Sequence, residues 1–125
     1  MHELSIAQNI VEIVKQNVPQ EDLKGVTSIK LKIGDMSGVV TESLEFGFLA
    51  IISGTELEDA KLDIEKIPFF LKCNECKQES SNEYGSSICP ECGSSNTTIL
   101  SGLELQIIEV ELREETLLTS PLRGR

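Results

Sequence analysis

At 125 residues, the chain has room for one domain, or a small domain carrying a smaller module. Apolar residues at 39% and charged residues at 26% fit a globular protein, and five aromatics without Trp leave the core to Ile, Leu and Val. A net charge of −10 with no basic stripe argues against nucleic acid as a partner.

No apolar run approaches the roughly 20 residues that span a bilayer, and the amino terminus lacks the charged-then-apolar pattern of a secretory leader. The expected compartment is the cytoplasm. There, four cysteines point to metal or redox chemistry before structural disulfides.

Leu4 to Val18 predicts an amphipathic helix. Leu4, Ala7, Val11, Val14 and Val18 recur at helical spacing, and Ile6, Ile10 and Ile13 widen the stripe. Glu3 sits near the favourable amino end, and Pro19 and Gly25 close the element. Ser28 to Ile33 alternates, with Ile29, Leu31 and Ile33 on one face and Lys30 and Lys32 on the other, as in a half-buried strand. Gly34-Asp35 ends it. Thr41 is the expected N-cap of a second helix through Leu44, Phe48, Leu49 and Ile52, which Gly54 stops.

Leu62 to Glu65 begins another strand, with Pro68 limiting how it pairs. Residues 72–98 are rich in Cys, Ser, Asn, Glu and Gly and poor in core-formers. A strand pattern resumes at Leu103, Leu105 and Ile107, then changes phase at Ile107-Ile108 before Val110 and Leu112; a bulge or a change of buried face would explain it. Residues 113–125 show no periodicity and read as a mobile tail. The expected fold is α/β: two helices on a small mixed sheet of about three strands, with an inserted four-cysteine module. Its expected division is 1–71 with 99–112 as the α/β domain and 72–98 as the metal module.

The one histidine is His2. The Met1 α-amine, the His2 amide nitrogen and the imidazole Nδ1 can close a five- and a six-membered ring around one ion. Such a nitrogen set suits square-planar Ni(II) or Cu(II). The bland alternative is a terminal histidine with no role.

Cys73-Asn-Glu-Cys76 and Cys89-Pro-Glu-Cys92 form C-x2-C-x12-C-x2-C. Each pair lets a tight turn aim two thiolates at one ion, and two turns complete a tetrahedral four-sulfur site. Gly93 lets the second turn curl and Pro90 stiffens it; Lys77 at the matching place is less suited. Between Cys73 and Cys92 the substantial apolar side chains are Tyr84 and Ile88, so a metal is the expected organiser. Zn(II) is favoured, in a closed and therefore structural site; a redox pair, two disulfides and rubredoxin-like iron are the alternatives.

Three stretches coincide along the chain: Met1-His2-Glu3-Leu4-Ser5-Ile6-Ala7, Ile33-Gly34-Asp35-Met36-Ser37-Gly38-Val39, and the cysteine insert followed by Ser101-Gly102-Leu103-Glu104-Leu105. Together, over about residues 1–112, they resemble the HypA/HybF family of nickel-insertion proteins of [NiFe]-hydrogenase maturation.

The resemblance implies a nickel metallochaperone without catalytic turnover. It implies nickel at Met1, His2 and Glu3, and zinc at Cys73, Cys76, Cys89 and Cys92. The partners it implies are a HypB-type GTPase, the hydrogenase large-subunit precursor and, in some organisms, urease maturation proteins; a homodimer stays open. Glu3 could serve through its backbone amide, as a carboxylate ligand, or by favouring the helix dipole. Lys77 stands where such cysteine turns commonly have glycine.

The rival reading is a zinc-ribbon interaction module with no nickel role. An enzyme is disfavoured, because no second histidine exists for acid–base work and no glycine-rich phosphate loop appears.

Overall fold

The computed structural model describes residues 3–82, 84–113 and, as backbone, 116–123. Helix α1 spans Glu3–Asn17 and a 3-10 turn spans Gln20–Gly25. Strand β1 (Val26–Gly34), helix α2 (Thr41–Ile52) and strand β2 (Lys61–Ile67) follow. Three short strands, β3 (Phe70–Cys73), β4 (Glu79–Ser80) and β5 (Thr97–Ser101), carry the cysteine region. Strands β6 (Leu105–Leu112) and β7 (Thr116–Arg123) return to the first layer.

The main sheet has the order β2-β1-β6-β7 and is mixed: β1 runs parallel to β2 and antiparallel to β6. β1 occupies the interior of this sheet because its alternation is the cleanest in the chain. Ile29, Leu31 and Ile33 are buried beneath the helices, while Lys30 and Lys32 lie in register with Asp63 and Glu65 of β2. Ala7, Ile10 and Val14 of α1 and Leu44, Phe48 and Ile52 of α2 complete the core.

The phase change at Ile107-Ile108 is a bulge. Lys30 pairs with Glu109 and Leu31 with Ile107, so Ile108 is the extra residue. That one insertion lets both Ile107 and Val110 be buried in the core.

Four expectations are corrected. Residues 113–125, expected as a tail, include strand β7, antiparallel to β6. Periodicity is a poor guide there because an edge strand needs only one ladder, which also tolerates Pro121. The main sheet therefore has four strands. The N-cap of α2 is Val40, with no side-chain cap of its own, and Thr41 is the first helical residue. Leu4 and Leu49, expected inside, are exposed.

The second sheet has the order β4-β3-β5. Its β3 and β5 reach from Phe70 and back to Ser101, so they overlap the ends of the cysteine-rich segment. The two layers meet at a close backbone approach. Gly34 N–H donates to Glu104 O at 2.8 Å, and Met36 N–H donates to Gly102 O at 2.8 Å. A Cβ added to Gly34 would stand 2.0 Å from the Gly102 carbonyl carbon. Gly102 itself has φ +111°, and its added Cβ would stand 2.6 Å from Phe69 Cα. Met36 packs on the other side, its Sδ 3.0 Å from where Gly85 would carry a Cβ. An open cleft of about 430 Å³ beside this seam is lined by Asp35, Met36, Pro68, Phe69, Ser81 and Asn82.

Gly34→Ala and Gly102→Ala should each destabilise the metal-loaded protein by at least about 2 kcal/mol, since backbone must move to admit a methyl. Gly25→Ala, with nothing within 4 Å of the added carbon, is the control and should stay within about 0.5 kcal/mol. Urea unfolding midpoints read the difference.

Candidate metal centre

The two cysteine turns repeat one backbone pattern. In the first, Cys73 N–H donates to Gln78 O at 2.9 Å and Lys77 N–H donates to Cys73 O at 3.0 Å. In the second, Cys89 N–H donates to Ser94 O at 2.9 Å and Gly93 N–H donates to Cys89 O at 2.8 Å. The fifth residue of each turn takes a left-handed conformation: φ is 68° at Lys77 and 76° at Gly93. Among the described residues, Lys77 is the one non-glycine with positive φ. The fold therefore imposes on Lys77 the conformation that glycine adopts without steric cost.

Strand β3 delivers the first turn and side-chain hydrogen bonds fasten both. The Asn74 amide donates to Asn96 Oδ1 at 3.1 Å and to Thr98 Oγ1 at 3.2 Å, tying the first turn to β5. Thr97 Oγ1 donates to Ser87 O at 2.6 Å, tying the approach to the second. Between the turns, Asn82 Oδ1 accepts from the amides of Tyr84 and Ser86 at 3.0 and 2.8 Å. Tyr84 and Ile88 are both exposed, so neither forms a core for the segment.

All four cysteine sulfurs lie within 4.8 Å of one another. Cys73 and Cys92 sulfurs are 3.5 Å apart, and Cys76 and Cys89 sulfurs 3.6 Å. Tetrahedral thiolates about 2.3 Å from a zinc-sized ion are separated by about 3.8 Å, whereas a disulfide needs about 2.05 Å. The spacing thus fits a tetrahedral four-sulfur ion and not two disulfides. Cys73 and Cys89 are buried and Cys92 reaches the surface.

The electrostatics of the cluster point the same way. The Cys76 amide, helped by the Glu75 amide, holds Cys73 down to about 7 against the opposing effect of burial. Those two amides reach its sulfur at 3.4 Å. At Cys92 the Ser94 amide favours the thiolate, but Cys73, burial and the Cys89 and Cys76 sulfurs outweigh it and push the thiol up to about 12. Cys76 is also raised: the Gln78 amide opposes the shift, and burial with the Cys89 and Cys73 sulfurs prevails. Cys73 is thus disposed to ionise while Cys76 and Cys92 resist, and a cation among the sulfurs would favour their thiolates.

At the other candidate site, Met1 and His2 lie outside the described residues. Glu3 opens α1, and its Oε2 accepts the Val40 N–H at 3.0 Å. The carboxylate therefore links the start of α1 to the cap of α2. Nothing local in the sequence announces this contact, because its partner is 37 residues away.

Relieving the strain at Lys77 gives a direct test of the pattern. Lys77→Gly should stabilise the metal-loaded module by about 1 kcal/mol, and Gly93→Ala should destabilise it by a similar amount. Competition with a chromophoric chelator, in parallel with thermal unfolding, reads both.

The comparisons agree with this geometry. The family model described as "Hydrogenase/urease nickel incorporation, metallochaperone, hypA" matches residues 1–112. The hydrogenase maturation factor HypA of Geotalea uraniireducens is 41% identical over 112 residues, covering 90% of this chain and 99% of that protein. The corresponding factor of Trichodesmium erythraeum is 43% identical over 114 residues, covering 91% and 97%. The solution structure of the Ni metallochaperone HypA from Helicobacter pylori shares the fold, with a TM-score of 0.61 at 22% identity, covering 90% of this chain and 97% of that one. Sequence pattern, four-sulfur geometry and family match converge: the chain belongs to the HypA family of hydrogenase and urease nickel-incorporation metallochaperones.

Proposed function

We propose that this protein carries Ni(II) at its amino terminus, passes it on during maturation of [NiFe]-hydrogenase, and uses its four cysteines for a structural zinc ion. The observation that carries the reading is the family match, which begins at residue 1 and takes in both Met1-His2-Glu3 and the cysteine turns. The division of labour follows: residues 1–71 with 99–112 hold nickel, and 72–98 hold zinc. The protein has no catalytic turnover, works in the cytoplasm, and hands its cargo on together with a HypB-type GTPase to the hydrogenase large-subunit precursor. Urease maturation proteins are further recipients where that enzyme is present.

The chemistry of the two donor sets separates the metals. Four thiolates in a closed tetrahedron satisfy Zn(II) fully and leave no position for exchange. The Met1 amine, the His2 amide and imidazole, and the Glu3 amide are nitrogen donors, which suit square-planar Ni(II). Glu3 then acts through its backbone, because its carboxylate is engaged with Val40. Glu3 opens α1, so its proposed backbone ligand belongs to a packed helix.

This site binds only when it is deprotonated. The terminal amine titrates at about 7.7–8.0 and imidazole at about 6.5, and the amide protons leave as nickel enters. Affinity should therefore fall steeply as pH drops from about 8 to about 6. In that window the zinc site should be less affected than the nickel site.

His2→Ala should abolish stoichiometric Ni(II) binding in calorimetry and leave one bound zinc. Blocking the Met1 amine with an amino-terminal tag should do nearly the same, whereas Glu3→Gln should retain one equivalent. A native-terminus sample that binds one zinc and no nickel would favour the zinc-ribbon interaction module.

A further inference from the structure

Single exposed apolar side chains are ordinary on protein surfaces. The outward face of α2 and the adjoining start of α1 carry four: Phe46 is 77% exposed, Val40 55%, Leu49 54% and Leu4 53%. Phe46 and Leu49 are three residues apart on α2, so they neighbour each other on one helix face. The side chain of Leu4 lies 3.5 Å from where Gly47, next to Phe46, would carry a Cβ. Val40 is tied through its amide to Glu3, next to Leu4. The apolar patch therefore begins at the first turn of α1 and runs along α2, next to the proposed nickel ligands.

The charge on α2 has one sign. The helix holds no Lys or Arg, and its two charged residues are Glu42 and Glu45. Glu42 and Glu45 are exposed on α2 itself. Lys15, the one cation of α1, is eleven residues beyond Leu4, about 16 Å along the helix. A two-fold pairing of this face with a second copy would set carboxylates against carboxylates. A partner with an apolar pocket rimmed by Lys and Arg would be complementary in both respects.

We infer that this α2 face docks a basic-rimmed apolar pocket on the hydrogenase large-subunit precursor, so that docking brings the metal-bearing terminus to its recipient. The inference rests on the nickel-carrier reading and names the surface by which its partner is recognised.

The test uses the zinc-loaded, native-terminus protein and its Phe46→Ser/Leu49→Ser variant. The purified hydrogenase large-subunit precursor is the probe in biolayer interferometry at low and high salt, with the purified HypB-type GTPase as the comparison. Both substituted side chains are exposed, so circular dichroism should be unchanged. The precursor should bind the variant ten-fold or more weakly than the wild type, and wild-type binding should weaken with salt. Glu42→Lys/Glu45→Lys, which keeps Phe46 and Leu49, should weaken the same complex. Equal affinity of either variant and the wild type for the precursor, no binding of the wild type to it, or a loss of affinity confined to the GTPase overturns the inference. A wild-type dimer that the serine variant dissociates also overturns it, since a second copy would then cover the face. Nickel titration of the serine variant should still give one equivalent. Failure of the wild type to bind nickel would instead overturn the carrier reading, while the binding comparison still reads the face.

Discussion

Four cysteine sulfurs within 4.8 Å of one another cannot all be thiolates unless a cation shares their space. The backbone amides at Cys73 favour one negative charge, while burial together with the Cys89 and Cys73 sulfurs raises Cys76, and the Cys73 sulfur and burial raise Cys92. A dication reverses that repulsion and becomes the centre on which two turns, three short strands and the intervening loop are organised. Between the two cysteine turns, Tyr84 and Ile88 face solvent, so neither supplies a core there. Metal binding and folding of this module are therefore one equilibrium.

The α/β layer stands on different physics. Its stability comes from burying the apolar face of β1 beneath α1 and α2, with no metal in the account. The two layers are joined where Gly34 and Gly102 bring their backbones into contact, with Phe69 and Met36 packed around them. The carboxylate of Glu3 adds a second fastening, between the beginnings of the two helices. These contacts place the amino-terminal end of α1 on a rigid frame.

Much of this arrangement was legible in the sequence, for identifiable reasons. The alternation of Ile29, Leu31 and Ile33 marked a half-buried strand, and the phase change at Ile107-Ile108 called for a bulge or a change of buried face, of which the structure has the bulge, with Ile107 and Val110 inward. The paired C-x2-C spacing marks the metal cluster, and Lys77, less suited than glycine to its place in the first turn, takes a positive φ there. What escaped reading depends on contacts between distant parts of the chain. Leu4 and Leu49 match the helical period, so periodicity puts them inside, and the structure exposes both. Strand β7 is recruited by the free edge of β6, which no local pattern in 116–123 records. The Glu3–Val40 bond and the Gly34–Gly102 approach are likewise products of the tertiary fold.

The central claim is that two metals are sorted by two chemically different donor sets, nitrogen at the terminus and sulfur at the cysteines. Element-specific X-ray absorption on native-terminus protein loaded with one equivalent each of Ni(II) and Zn(II) tests it most directly. The account predicts a zinc edge with four sulfurs at about 2.3 Å and a nickel edge with a first shell of nitrogen and no sulfur. Nickel with sulfur neighbours, or zinc with fewer than four, would contradict it.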